Sequence, residues 1–213
     1  MYVELAHLNK TTTEEENRES VFTAVKLHLN GSVVLPSYVA ESREYLTDMV
    51  LATPIDFPSG ASETDVRQHA ILSSIRKGAN TIDLVINHSL VINKKTDKLL
   101  IDLESCLKVC STHNVQLRVM MEYRIYSDME LFFDTVRLID SLGIEFMLPS
   151  TGHRIDTFSN NLICCHEIAK ISKLKVISNG GYMSPEQYRI AKLADLYGIR
   201  INSIHTANTL FGV

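Results

Sequence analysis

Two carboxylates, one guanidinium and several imidazoles fall where short apolar runs give way to polar loops. In "TIDLVINH" and "VQLRVMMEYR" side chains alternate along an extended chain, so Asp83, Val85 and Asn87 share one face, as do Arg118, Met120 and Glu122. If both sets face one interior, Asp83 and Arg118 are neighbours. The aspartate is then either a structural partner of the arginine or a proton-relay carboxylate held by a cation, and the sequence leaves both open. Glu122 is a second acid–base candidate. Gly180-Gly181, just ahead of "SPEQ", lets backbone N–H groups approach an anion at a helix N-terminus, although an ordinary tight turn has the same signature. His7, His88, His153 and His205 sit near the ends of four such runs. Their separation gives no ligand signature, so no metal is expected and scattered loop histidines are the plain reading, with His153 as a candidate phosphate contact.

The elements that must position these groups are legible as a rhythm. Eight β-rich runs recur: "YVELAHL", "SVVLP", "VLATPIDF", "TIDLVIN", "VQLRVMME", "IEFMLPS", "LKVISNG" and "RINSI". Between them lie segments whose apolar residues return every three or four positions, such as "SETDVRQHAILSSIRKGAN" and "DMELFFDTVRLIDSLG". Gly78 and Gly143 mark helix ends, and Ser184-Pro185-Glu186-Gln187 reads as a helix start with a capping box. Parallel strands joined by crossover helices follow. No linker or repeat divides the chain, so the expectation is one domain over residues 1–213, an α/β (β/α)8 TIM barrel, although doubly wound sheets share the rhythm. Val213 follows the last run so soon that a shortened or missing final helix is expected.

Composition narrows the classes. With 45% hydrophobic residues and a formal charge of −4 the chain suits a large core, and without a basic stripe it gives no support to a nucleic-acid or membrane-surface partner. No apolar run is long enough to cross a bilayer and the start lacks the form of a signal peptide, so a cytoplasmic location is expected. Cys106 and Cys110, and the adjacent Cys164 and Cys165, read as buried reduced thiols.

From Ile55 to Asn87, "IDFPSGASETDVRQHAILSSIRKGANTIDLVIN" resembles the third and fourth strands of deoxyribose-phosphate aldolases; "LRVMMEYRIYSD", "FMLPSTG" and "SNGG" resemble the three strands that follow. The likeness runs in order from about Glu4 to Ser203. It implies a class I aldolase barrel that cleaves 2-deoxyribose 5-phosphate to acetaldehyde and glyceraldehyde 3-phosphate, with no metal or other cofactor. It also implies a Schiff-base lysine two residues before Ser-Thr-Gly and a second lysine two residues before Ser-Gly-Gly. Here those positions align with Leu148 and Ile177. An alkyl side chain supplies neither the lone pair of an amine nor the electron sink of an iminium.

The resemblance carries other roles over in part. Asp83 matches the proton-relay aspartate, and Arg118 stands where many members have a lysine. Ser150, Thr151, Gly152, Gly180 and Gly181 persist from the substrate and phosphate site, and Ser203 is what remains of it on the last strand. "HRIDTFSNN" and Asn202-Ser203-Ile204-His205 replace its other segments, and Met183 replaces an arginine. Lys175 shares a strand face with Ile177 and is the candidate for a displaced nucleophile, against the simpler reading that it reaches solvent at the other end of the strand. The expectation is therefore an aldolase-like protein without normal retro-aldol activity. It would retain a cleft for a small metabolite such as a phosphorylated sugar, or pair with itself or an active paralogue. The alternative is an active lyase using Lys175, or acid–base chemistry by Asp83, Glu122 and a histidine.

Overall fold

In a computed structural model, which describes residues 1–154, 156–181, 184–194 and 196–212, eight parallel strands close into a barrel in sequential order. They are β1 (Tyr2–His7), β2 (Gly31–Val34), β3 (Val50–Ile55), β4 (Thr81–Val85), β5 (Gln116–Met120), β6 (Phe146–Leu148), β7 (Lys175–Ser178) and β8 (Gly198–Ile201). The helices are α1 (Glu14–Lys26), α2 (Val39–Arg43), α3 (Thr64–Arg76), α4 (His88–Ile92), α5 (Thr96–Thr112), α6 (Met129–Ser141), α7 (Phe158–Ile171), α8 (Pro185–Leu193) and α9 (Ile204–Phe211). The expected TIM barrel is the fold. Its final helix is present but short, at eight residues, and begins at Ile204 inside the run that reads as strand. No helix among the described residues is long and apolar enough to cross a membrane. Met183 lies outside the described residues.

The strands alternate as the sequence implies. Leu84, Leu117, Val119, Met147 and Val176 belong to the large apolar layer between the barrel wall and its helices. Their neighbours along each strand point the other way and form separate groups inside the barrel: Val85, Met120, Leu148 and Ile177 in one, and Ala6, Val33 and Ala52 in another. Helix punctuation agrees: Asp128 caps α6, Ser184 caps α8 ahead of Pro185, and Gly78 and Gly143 take positive φ just beyond α3 and α6.

The middle of the barrel is ionic. Strand register sets Glu4 beside Arg200 on one wall and Asp83 beside Arg118 on the other. The side chains meet across the interior. Arg118 donates from Nε to Asp83 Oδ1 (2.6 Å) and from Nη1 to Glu4 Oε2 (2.8 Å). Arg200 donates from Nε to Glu4 Oε1 (2.7 Å) and from Nη2 to Asp83 Oδ2. Tyr2 Oη adds a third donor to Glu4, at 2.7 Å. Each carboxylate thus bridges both guanidiniums in a closed ring of zero net charge, fully buried but for a trace of Arg118. Burial alone would push the Glu4 carboxyl up, but Arg118 and Arg200 outweigh it and hold it at about 2. Burial likewise opposes the Arg118 charge, and Asp83 and Glu4 overcome it, leaving its pKa well above the usual arginine value.

A buried ring of this kind contributes through its completeness. Desolvation cancels much of the mutual attraction, but removing one member strands the others without solvent or partner. Glu4→Ala is expected to cost about 3–5 kcal/mol of unfolding free energy, read by urea denaturation at neutral pH. The sign with pH follows from the lowered pKa. The Glu4 contribution is complete above its unfolded value, 4.5, and is lost as pH falls through about 2. Stability measured between these limits should fall more steeply in the native chain than in Glu4→Gln.

Candidate functional site

The carboxyl ends of the strands form the barrel mouth, where active sites of this fold lie. One inward position beyond Asp83 and Arg118 come Val85 and Met120, and with Leu148 and Ile177 they make a fully buried hydrocarbon layer across β4 to β7. Asp83 and Arg118 therefore sit beneath that layer, spent on each other and on Glu4 and Arg200. Both groups take part in the buried ion-pair ring.

The loops above the layer satisfy their own polar groups. Glu122, just past β5, accepts from Thr151 Oγ1 (2.7 Å) and Thr151 N (3.3 Å), so one carboxylate oxygen fastens the β6–α7 loop; the other, Oε1, has no partner among the described residues. Ser150 Oγ accepts from Gly152 N and Thr151 Oγ1 accepts from His153 N, both at 3.1 Å. Asn202 Nδ2 donates to Asn179 Oδ1 at 2.7 Å, and Asn179 Nδ2 reaches Ser150 O at 3.4 Å, a chain of neutral amides across β6, β7 and β8. Gly152, at φ +72°, lies so close that a Cβ there would stand 2.9 Å from Asn179 Nδ2. Gly180 abuts Asn161, whose Cβ would be 2.4 Å from an added Cβ. Gly181 is exposed at φ +54°, His153 is exposed against the edge of Phe57, and Ser203 caps α9 by accepting from Thr206 N.

Two further clusters hold the rim. Asp156 accepts from Thr157 N (2.8 Å), Tyr123 Oη (2.5 Å) and Asn161 Nδ2 (2.8 Å), while Asn161 Oδ1 accepts from Ser178 Oγ, so one carboxylate ties the loop after β6 to β7. Arg67 is fully buried; it pairs with Asp102, lies 3.6 Å from Asp56 and donates to Val85 O, pinning the loop after β3 to the end of β4. Neither cluster stands out in the sequence, although an Asp-Thr pair ahead of "FSNN" is a helix-start signal.

Lys175 does not join this end. It is the first residue of β7, where its Nζ lies 3.1 Å from Glu145 Oε2 and over the rings of Phe146 and Tyr197. That is the amino end of the barrel, closed by Tyr2 stacked on Tyr197 and by Phe146 against Tyr197. The simpler expectation for this lysine is the one its position matches. The histidines are also apart: His7 is half-buried, His153 and His205 are exposed, and no group of three metal-ligating side chains occurs among the described residues. Open grooves of about 560 and about 730 Å³ lie outside the mouth, one lined by residues of α4, α5 and α6 and one along α1.

No family model matches the chain. The deoxyribose-phosphate aldolase of Treponema denticola is 28% identical over 154 residues, covering 71% of each chain. That of Staphylococcus epidermidis is 30% identical over 148 residues, covering 68% of this chain and 66% of its own. The chain belongs to the deoxyribose-phosphate aldolase family. A solved aldolase designated QR15 superposes with a TM-score of 0.85 at 24% identity, covering 96% of this family member and 91% of that chain, and so shares its fold.

In this aldolase-family barrel His88 behaves as a core residue. Its Nδ1 lies 2.9 Å from Tyr126 Oη, and burial, aided by the Arg67 charge, lowers its pKa from 6.5 to about 4. An NMR titration of the ring nitrogens should find it neutral until about pH 4. Because the unfolded chain takes up this proton first, the His88 contribution to stability is complete above pH 6.5 and is lost as pH falls toward 4.

Proposed function

We propose that this protein is a deoxyribose-phosphate aldolase relative that does not form a Schiff base and that keeps the barrel rim as a binding site for a small polar metabolite. The observation that carries the first half is the sealed hydrocarbon layer of Val85, Met120, Leu148 and Ile177. Leu148 and Ile177 take the two places where the family resemblance implies amines. Lys175, the lysine the described strands carry, is ion-paired at the opposite end of the barrel. Carbinolamine formation needs an unprotonated amine within bonding distance of the carbonyl carbon, and subsequent C–C cleavage needs the iminium as electron sink. Asp83 would have to move a proton from within a ring where both its oxygens already accept from arginines.

The second half rests on the rim. Backbone around Gly152 and Gly181, the exposed His153 and the exposed Asn202, beyond the one bond it donates to Asn179, offer donors and acceptors to hydroxyl or phosphate groups. These residues sit at the end of the barrel where the fold places ligands.

The test is reductive trapping. Purified protein is incubated with 2-deoxyribose 5-phosphate and, separately, with acetaldehyde, treated with borohydride and read by intact mass and peptide mapping beside an active family aldolase. No adduct and no retro-aldol turnover are expected, with Lys175→Ala indistinguishable from the native chain. A specific lysine adduct would overturn the reading. Amide shifts on adding deoxyribose 5-phosphate, confined to residues 150–153 and 179–181, are expected for the retained rim; none at millimolar ligand would remove that half of the proposal.

A further inference from the structure

At the end of the barrel away from the mouth, α7, the start of β7 and the segment joining α8 to β8 border a third groove, of about 530 Å³. Its floor is hydrocarbon: Leu174 and Val176 are buried, and Ala169, Ala194 and Leu196 flank them. Tyr197, 38% exposed, forms one wall. The apolar surface continues past the groove, because helical spacing puts Ile190 and Leu193 on the same side of α8 as Ala194. Leu193 is 80% exposed, the most of any large apolar side chain described. A contiguous apolar strip left open to water marks a binding surface.

The ionisable groups that line this groove carry one sign. His166 and Lys170 come from α7 and Lys175 from β7, and no carboxylate joins them among the described residues. Residues 166–197 hold five lysines and arginines against three carboxylates in a chain whose net charge is −4. One of the three, Asp195, lies outside the described residues. Lys170 meets Glu167 at 2.7 Å and Lys175 meets Glu145 at 3.1 Å, but both pairs are open to solvent. Such pairs hold weakly and leave the ammonium groups able to turn to another anion. Lysine stems also lie readily along apolar surface while their charged ends reach outward.

We infer that this groove binds a single-chain anionic amphiphile, an aliphatic carboxylate, with its hydrocarbon on the floor and its charged head among His166, Lys170 and Lys175. The two halves of the ligand answer the two halves of the site. A neutral chain would leave the basic rim unused, and a cationic one would be repelled by it. The groove has the size of a small-molecule site, for which about 300–1,000 Å³ is usual. It lies at the opposite end of the barrel from the rim loops, so the inference is independent of the function proposed for them.

Titration of sodium decanoate into the isotope-labelled full chain, followed by amide NMR, tests it. Shifts are expected at His166, Ala169, Lys170, Val176 and Tyr197. From hexanoate to decanoate the affinity should rise by about 2- to 4-fold per added methylene, as burial of each CH₂ requires. Decyltrimethylammonium, the same chain with the opposite charge, should leave these amides unmoved. Lys170→Glu combined with Lys175→Glu should weaken decanoate binding by about 10-fold. Ala169→Trp, which fills the groove, should abolish it. All three positions are exposed, so folded variants are expected, with circular dichroism as the check. No shifts at millimolar decanoate, shifts confined to the barrel mouth, equal binding of the ammonium compound, or indifference to Ala169→Trp would each overturn the inference.

Discussion

Four charges in the middle of a barrel have nowhere to go, and this constraint organises the interior. Glu4, Asp83, Arg118 and Arg200 are tolerable in the core because each carboxylate meets both guanidiniums, so that no charge is left with a single partner. The long arginine side chains need space, and the inward positions on β1, β2 and β3 supply it by being small or medium: Ala6, Val33 and Ala52. The bulk on the other side comes from Met120, Leu148 and Ile177, which lid the ring from the mouth. Packing volume and charge balance are thus one problem with one solution.

The mouth follows the same economy. Hydroxyls and amides that would be free for a substrate in an open site are directed at neighbouring loops: Thr151 at Glu122, Ser178 at Asn161, Asn202 at Asn179. Buried or half-buried polar groups require partners, and once hydrocarbon fills the floor these groups find them in the protein itself. Catalysis of the type implied by the family resemblance asks for the opposite arrangement, an amine in a pocket kept reactive by its surroundings.

Much of this was legible in the chain. The eight-fold rhythm gives the barrel because the two periodicities, two for strands and about three and a half for helices, are imposed by backbone geometry wherever one face is buried. The neighbourhood of Asp83 and Arg118 follows from alternation once the strands that carry them lie side by side. What alternation cannot give is the far wall: Glu4 and Arg200 are single charges inside "YVELAH" and "GIRI", and only barrel closure brings them opposite residues more than a hundred positions away. Arg67 and Asp156 escape for a similar reason, since their partners come from separate loops. Leu148 and Ile177 could be placed in the sequence, but that they form a sealed layer depends on the sizes of Val85 and Met120 beside them.

The ring also ties the first strand of the barrel to the last. Glu4 and Arg200 are 196 residues apart, and the hydrogen bond between them spans nearly the whole chain. During synthesis Glu4 emerges long before its partner exists, so the ring is unavailable to any partial barrel and closes only when β8 is in place against β1. An interaction of such sequence separation is slow to gain and absent from early folding states. Its energetic weight then bears on the rate of opening more than on the rate of closing. A finished barrel is in this sense latched, with a fastening that an incomplete chain has no means to engage.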